Sequence, residues 1–168
     1  MPKATIAKIE GKCRGGGSEL VLACDMRFAA IGRAVLGQPE VAVGIIPGGG
    51  ATQRLPRAIG KARAMEMILL GEPVSAWEAL ELGLINRVVP DELVLSMALR
   101  LARQIAAKSL DASIASKAAV LSAFDLPITS GLNAERAAFN ALFDAPDARE
   151  GMTAFLEKRK PEFGRTSS

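Results

Sequence analysis

An α/β fold is predicted for this chain, strand- and turn-rich in front and helical behind, and three observations predict it. Short runs of strand character alternate with glycine-punctuated helical runs as far as Pro90. Beyond Pro90 the patterning is helical throughout. The apolar bulk is mostly Ala, Leu, Val and Ile, with aromatics at only 4% of the 168 residues, a composition that favours closely packed helices.

Thr5 to Glu10 reads as a first strand, ended by Gly11. The run Arg14-Gly15-Gly16-Gly17-Ser18-Glu19 leads into apolar Leu20 to Cys24, which predicts a short helix buried all round and closed near Asp25. Met26 to Ile31 and Val35 to Gln38 read as two further strand pieces joined by a turn at Gly32-Arg33. Pro39-Glu40 interrupts the second piece, and Val41 to Ile46 continues apolar to Pro47. Gly48-Gly49-Gly50 precedes a helix from about Thr52 to Ile59. Helices over Lys61 to Leu70 and Ser75 to Leu82 follow, stopped by Gly71 and Gly83. Ile85 to Val89 is the last predicted strand. A helix from about Asp91 to Lys108 should bury Leu93, Leu95, Met97, Leu99, Leu101, Ile105 and Ala106. Three more are expected around 113–124, 132–142 and 148–158, and the tail beyond Pro161 should fray.

Composition narrows the chemistry. A net charge of +3 with both signs mixed, and no basic run with interleaved aromatics, argues against nucleic-acid binding. Cys13 and Cys24 have no C-x-x-C spacing and read as reduced thiols of a cytoplasmic protein. No apolar run approaches a membrane span and no leader pattern opens the chain. With no histidine and no tyrosine, Ser-His-Asp triads, Cys-His pairs and His-containing zinc sites are excluded. Acid–base work would fall first to carboxylates.

Three glycines before a helix let backbone approach a ligand while free N–H groups point at it, which suits an oxyanion or phosphate; the same run also makes a tight strand-to-helix turn. No P-loop lysine follows and no G-x-G-x-x-G is present, so an oxyanion fits better than a nucleotide phosphate. Glu19, in the first helical turn, is either a partner for the helix dipole or a general acid or base beside those amides. Glu40 is either a surface residue at a strand end or a carboxylate set among apolar neighbours. Arg54 could meet an anionic ligand or a neighbouring acid, or be structural.

The string Gly15-Gly16-Gly17-Ser18-Glu19-Leu20 with Ala23-Cys24-Asp25 resembles the glycine-helix segment of the enoyl-CoA hydratase/isomerase (crotonase) family. Gly37-Gln38-Pro39-Glu40 with Gly44 to Gly48 is similar to its second signature. Thr52 to Arg57, Gly83 to Val89, and Arg149 to Met152 with Pro161 to Phe163 resemble later segments in the family's order.

The resemblance implies a crotonase-like ββα spiral core over residues 1–90, in which the family's earlier strands are missing, and a helical trimerisation-type region over 91–168. It implies Gly16, flanked by Gly15 and Gly17, as oxyanion donor to an acyl-CoA thioester, with Glu19 activating water and Glu40 exchanging a proton beside the thioester. The implied reaction is hydration of a 2-enoyl-CoA, the alternatives being isomerase, thioester hydrolase, or a catalytically defective acyl-CoA-binding or assembly subunit. No cofactor or metal is implied, since coenzyme A is part of the substrate, and the expected assembly is a homotrimer or dimer of trimers. The second oxyanion donor belongs to the family's earlier segment, so this chain alone is expected to be weakly active or inactive, and to aggregate or depend on subunit contacts. Lys12-Cys13-Arg14 is more charged than many members are there.

Overall fold

A computed structural model describes residues 1–164. Strands β1 (Ile6–Ile9) and β2 (Lys12–Arg14) precede helix α1 (Gly16–Leu22), then β3 (Met26–Ala30) and β4 (Val35–Gly37). A 3-10 turn (Glu40–Val43) leads to α2 (Ala51–Ile59) and α3 (Lys61–Leu70), followed by β5 (Val74–Ser75), α4 (Ala76–Glu81) and β6 (Arg87–Val89). Helices α5 (Val94–Ala106), α6 (Leu110–Ser122), α7 (Ile128–Phe143) and α8 (Pro146–Leu156) complete it. The α/β class and the strand-to-helix change at Pro90 match the expectation.

The first four strands alternate between two sheets, and β5 and β6 then add one strand to each. One has the order β1-β3-β6 and is parallel throughout; the other is β2-β4-β5, with β2 and β4 parallel and β5 antiparallel. The two parallel pairings around α1, Ile6 with Met26 and Lys12 with Val35, require a crossover, and α1 supplies it. Asp25 fixes the register of the first sheet. Its Oδ2 accepts from Thr5 N at 2.7 Å and Thr5 Oγ1 at 2.9 Å, while its own N–H donates to Thr5 Oγ1 at 3.0 Å.

Backbone contacts divide the chain into two units, Thr5–Leu101 and a second made of Met1–Ala4 with the segment from Ala102 onward. The first holds the apolar core, in which Phe28, Leu36, Leu55, Leu84 and Val94 are at most 1% exposed. In the second, α6 packs on α7 and α7 on α8. Neither α6 nor α7 contains a buried residue, and Ile128, Leu132, Phe139 and Phe143 face solvent, the last two with ring centroids 5.7 Å apart.

Several expectations need correction. Strands β2 and β5 were not foreseen; each is a short strand in the second sheet, and Lys12-Cys13-Arg14 alternates exposed, buried, exposed as a half-buried strand does. Helix α1 is not buried all round. It turns Ser18, Glu19 and Leu22 inward while Leu20 is 69% exposed. Helix α5 buries Val94 and Ala98, with Met97 and Leu101 partly covered, and leaves Leu93, Leu95 and Leu99 exposed. The helical period, not the density of leucines, selects that face. Apolar Val43, at the end of the 3-10 turn, and Ile45 and Ile46 after it lie exposed rather than continuing the core.

The chain beyond Pro161 is also tied down as far as it is described. Glu150 accepts from Arg159 at 2.6 and 2.9 Å and from the Glu162 N–H at 2.8 Å, and Asp147 accepts from the Gly164 N–H at 3.0 Å. Residues 165–168, where fraying was also expected, lie outside the described residues.

Candidate functional site

Strand β2 delivers the glycine run to the start of α1. Gly15 donates its N–H to Gly37 O at 3.0 Å and holds φ at 56°, a value that favours glycine. Its amide is therefore committed to β4. Gly16 is the first helical residue, and its N–H belongs to the opening turn, which has no acceptor within the helix. Among the described residues no backbone acceptor outside the helix meets it either. Gly16 and Gly17 are exposed, and a Cβ on either would touch nothing within 4 Å. The open side of α1's N-terminus thus carries unpaired donors with space before them, the arrangement that favours a developing negative charge.

Glu19 points the other way across the same turn, into the protein, and is 7% exposed. A buried carboxylate needs hydrogen-bond donors. Two backbone amides supply them: Oε1 accepts from Gly49 N–H at 2.7 Å and Ala51 N–H at 3.0 Å. The second glycine run, read from sequence as a chain reversal, is therefore also the cradle of this acid. Gly49 has to be small because a Cβ there would sit 2.6 Å from Glu19 Oε2 and 3.0 Å from its Cδ.

Glu40 opens the 3-10 turn and is half-buried. Its Oε1 lies 3.4 Å from the position a Gly15 Cβ would take. Its carboxylate meets a polar neighbour. In the amide orientation that satisfies both of its neighbours, Gln38 donates to the two Glu40 oxygens at 3.0 and 3.2 Å and accepts from Ser18 Oγ at 3.1 Å. Gln38 and Ser18 are fully buried. Glu19 and Glu40 thus both stand against the Gly15–Ser18 turn, one through its own helix and the other through Gln38.

Sequence reasoning gave no role to Ser18 or Gln38. The available signal was a polar residue inside each apolar signature, Gln38 after Val35-Leu36-Gly37 and Ser18 ahead of Leu20-Val21-Leu22. Among the described residues Arg54 meets no acid; its Nη1 donates to Gly49 O at 2.8 Å. At the far end of α1, Arg27 donates to the carbonyls of Val21 at 3.1 Å, Cys24 at 2.7 Å and Leu84 at 2.7 Å. Burial lowers its guanidinium from the usual arginine range, and the helix C-terminus favours a cation there. Among the described residues no group of three or more Cys, Asp or Glu could hold a metal ion, and no helix is long and apolar enough to cross a membrane.

Comparison with known proteins places this geometry. The family model described as Enoyl-CoA hydratase/isomerase matches residues 1–166. A probable enoyl-CoA hydratase of Rhizobium meliloti (strain 1021) is 46% identical over 161 residues, covering 96% of this chain and 62% of that protein. The mitochondrial enoyl-CoA hydratase of Pongo abelii is 41% identical over 96% of this chain and 55% of its own length. The crystal structure of enoyl-CoA hydratase from Bacillus anthracis superposes with a TM-score of 0.94 at 43% identity, covering 96% of this chain and 62% of that one. The chain spans about three fifths of the length of the curated relatives it matches, 62% and 57% in two of them.

Proposed function

Because this chain belongs to the enoyl-CoA hydratase/isomerase family, we propose that its reaction is the addition of water across the double bond of a 2-enoyl-CoA thioester, giving the 3-hydroxyacyl-CoA. The observation that carries this reading is the placement of two acids, Glu19 and Glu40, against one glycine turn whose Gly16 N–H is open. In the proposed cycle the thioester oxygen rests on the Gly16 N–H. Glu19 accepts a proton from water as the water oxygen bonds to the β-carbon. The double-bond electrons move onto the thioester as an enolate, and Glu40 supplies a proton to the α-carbon. The proton lost by water balances the one gained at carbon, and the two carboxylates re-equilibrate through solvent.

The amides of Gly49 and Ala51 suit Glu19 to this part, because they occupy Oε1 and leave Oε2 without a protein donor among the described residues. Gln38 orients Glu40 differently, by donating to both of its oxygens. No cofactor enters this scheme, since coenzyme A arrives as part of the substrate. The test is loss of the enoyl-thioester absorbance of crotonyl-CoA on addition of the purified chain, where the turnover expected is weak because the family's second oxyanion donor belongs to its earlier segment. Turnover that falls about a hundredfold or more in both Glu19→Gln and Glu40→Gln is expected. Turnover untouched by either change would overturn the assignment, and loss through one acid alone would favour an isomerase.

The proposal extends to a cytoplasmic homotrimer or dimer of trimers. The absence of any buried residue in α6 and α7, and the exposure of Ile128, Phe139 and Phe155, support it, since apolar surface of this extent marks an interaction face. Light scattering coupled to size exclusion should report a multiple of three chains; a stable monomer at micromolar concentration would contradict it.

A further inference from the structure

We propose that Arg54 is a positioning residue that locks the backbone cradle of Glu19. The inference rests on the reading of Glu19 as the water-activating acid, and its argument starts from the peptide geometry of the second glycine run. Gly49 and Ala51 aim their N–H groups at one carboxylate oxygen, Glu19 Oε1, at 2.7 and 3.0 Å. Between them Gly50 takes a left-handed conformation, φ 111° and ψ 7°. Alternate amides converging on an anion across a left-handed residue make a backbone nest. For the amides to converge, the intervening carbonyl has to turn away from the acid. Gly49 O does so, and it would be left to solvent but for Arg54, whose Nη1 donates to it at 2.8 Å.

A second observation ties the guanidinium to this loop. A Cβ built on Gly50 would collide with Arg54 Nη1 and lie 3.0 Å from its Cζ, so the guanidinium rests directly on the Gly50 backbone. The side chain reaches there from its own helix: Arg54 N–H donates to Gly50 O at 2.9 Å, placing the residue one turn beyond the nest. Arg54 therefore closes a ring in which α2's first turn, the nest and the acid hold one another. Its part is to keep the Gly49 and Ala51 amides on Glu19 Oε1, and so to hold the carboxylate in one orientation.

The test is amide exchange with water at Gly49 and Ala51, measured by NMR on the full ¹⁵N-labelled chain. Arg54→Met should speed exchange at Gly49 by roughly tenfold, the weight of one charge-assisted hydrogen bond, while amides further along α2, at Leu55 and Ile59, change little. Arg54→Lys, which can still donate to Gly49 O, should restore most of the protection. Unchanged exchange at Gly49 in Arg54→Met, or a uniform rise along the whole of α2, would overturn the proposal. Should Arg54→Met not fold, Arg54→Gln, too short to reach Gly49 O, is read in the same way: faster exchange at Gly49 with Leu55 and Ile59 little changed supports the contact, and unchanged exchange at Gly49 refutes it. The readout needs no turnover, so failure of the acyl-CoA reading leaves it standing, and its own failure leaves the role of Glu19 untouched.

Discussion

At the scale of single residues, contact distance decides more than residue type. Gly49→Ala adds one methyl group, yet that group would lie 2.6 Å from Glu19 Oε2 and 3.2 Å from its Cβ, so the acid has to move. Because a displacement of about 1 Å can cost a hundredfold in rate, Gly49→Ala is expected to lower kcat by about that factor, as steady-state assay with crotonyl-CoA would show. Gly131→Ala is the companion control. Its Cβ would meet nothing within 4 Å in the first turn of α7, so it should leave the rate alone and raise the melting temperature slightly. The first kind of constraint was only half legible in the sequence. Gly48-Gly49-Gly50 announced a tight loop, but nothing local says that Gly49 is narrow because of an acid thirty positions earlier. Glu19 itself was legible because helix-start chemistry is local. Ser18 and Gln38 were not, since a buried hydroxyl and amide reveal themselves only once the partner that satisfies them is in place.

At the scale of elements, the termini were the best-read feature. Ser75 was placed at the start of α4, and the structure gives it both halves of a capping box: its Oγ accepts from Glu78 N–H at 3.2 Å and Glu78 Oε2 accepts from Ser75 N–H at 2.7 Å. The Ser75 hydroxyl first, and the Ser75 N–H second, hold the Glu78 carboxyl below its usual range. Ser75→Ala should cost about 1 kcal/mol, seen as a drop of roughly 2–4 °C in the melting temperature. Helix faces were read less well. Leucine-rich α5 turns Val94 and Ala98 inward, and apolar Val43, Ile45 and Ile46 stay outside. Hydrophobic pattern reports which side chains favour burial, and the packing partners decide which of them obtain it.

At the scale of the whole molecule, the fold class and the change of character at Pro90 could be read because alternating strands and glycine-stopped helices leave a strong periodic signal. The two-sheet alternation could not, because β2 and β5 are only three and two residues long. The end of the described chain supplies a prediction on acidity. Arg159 first, and the Glu162 N–H second, hold the Glu150 carboxyl down at about 2, against an ordinary value of 4.5. A depressed carboxyl gives stability that is complete above 4.5 and disappears as pH falls through about 2. Melting temperature should therefore decline across that window, and Glu150→Gln should flatten part of the decline while lowering the value at neutral pH.

The parallel sheet has one more implication, for how the chain is made. Strand β3 sits between β1 and β6, and Phe28, Ala29 and Ala30 wait for Arg87, Val88 and Val89 as their outer partners. A ribosome that has released β3 but not yet β6 therefore holds a nascent chain with one open ladder, and open ladders attract other strands. The interval between those two points of translation is when this protein should be most prone to pairing with other strands.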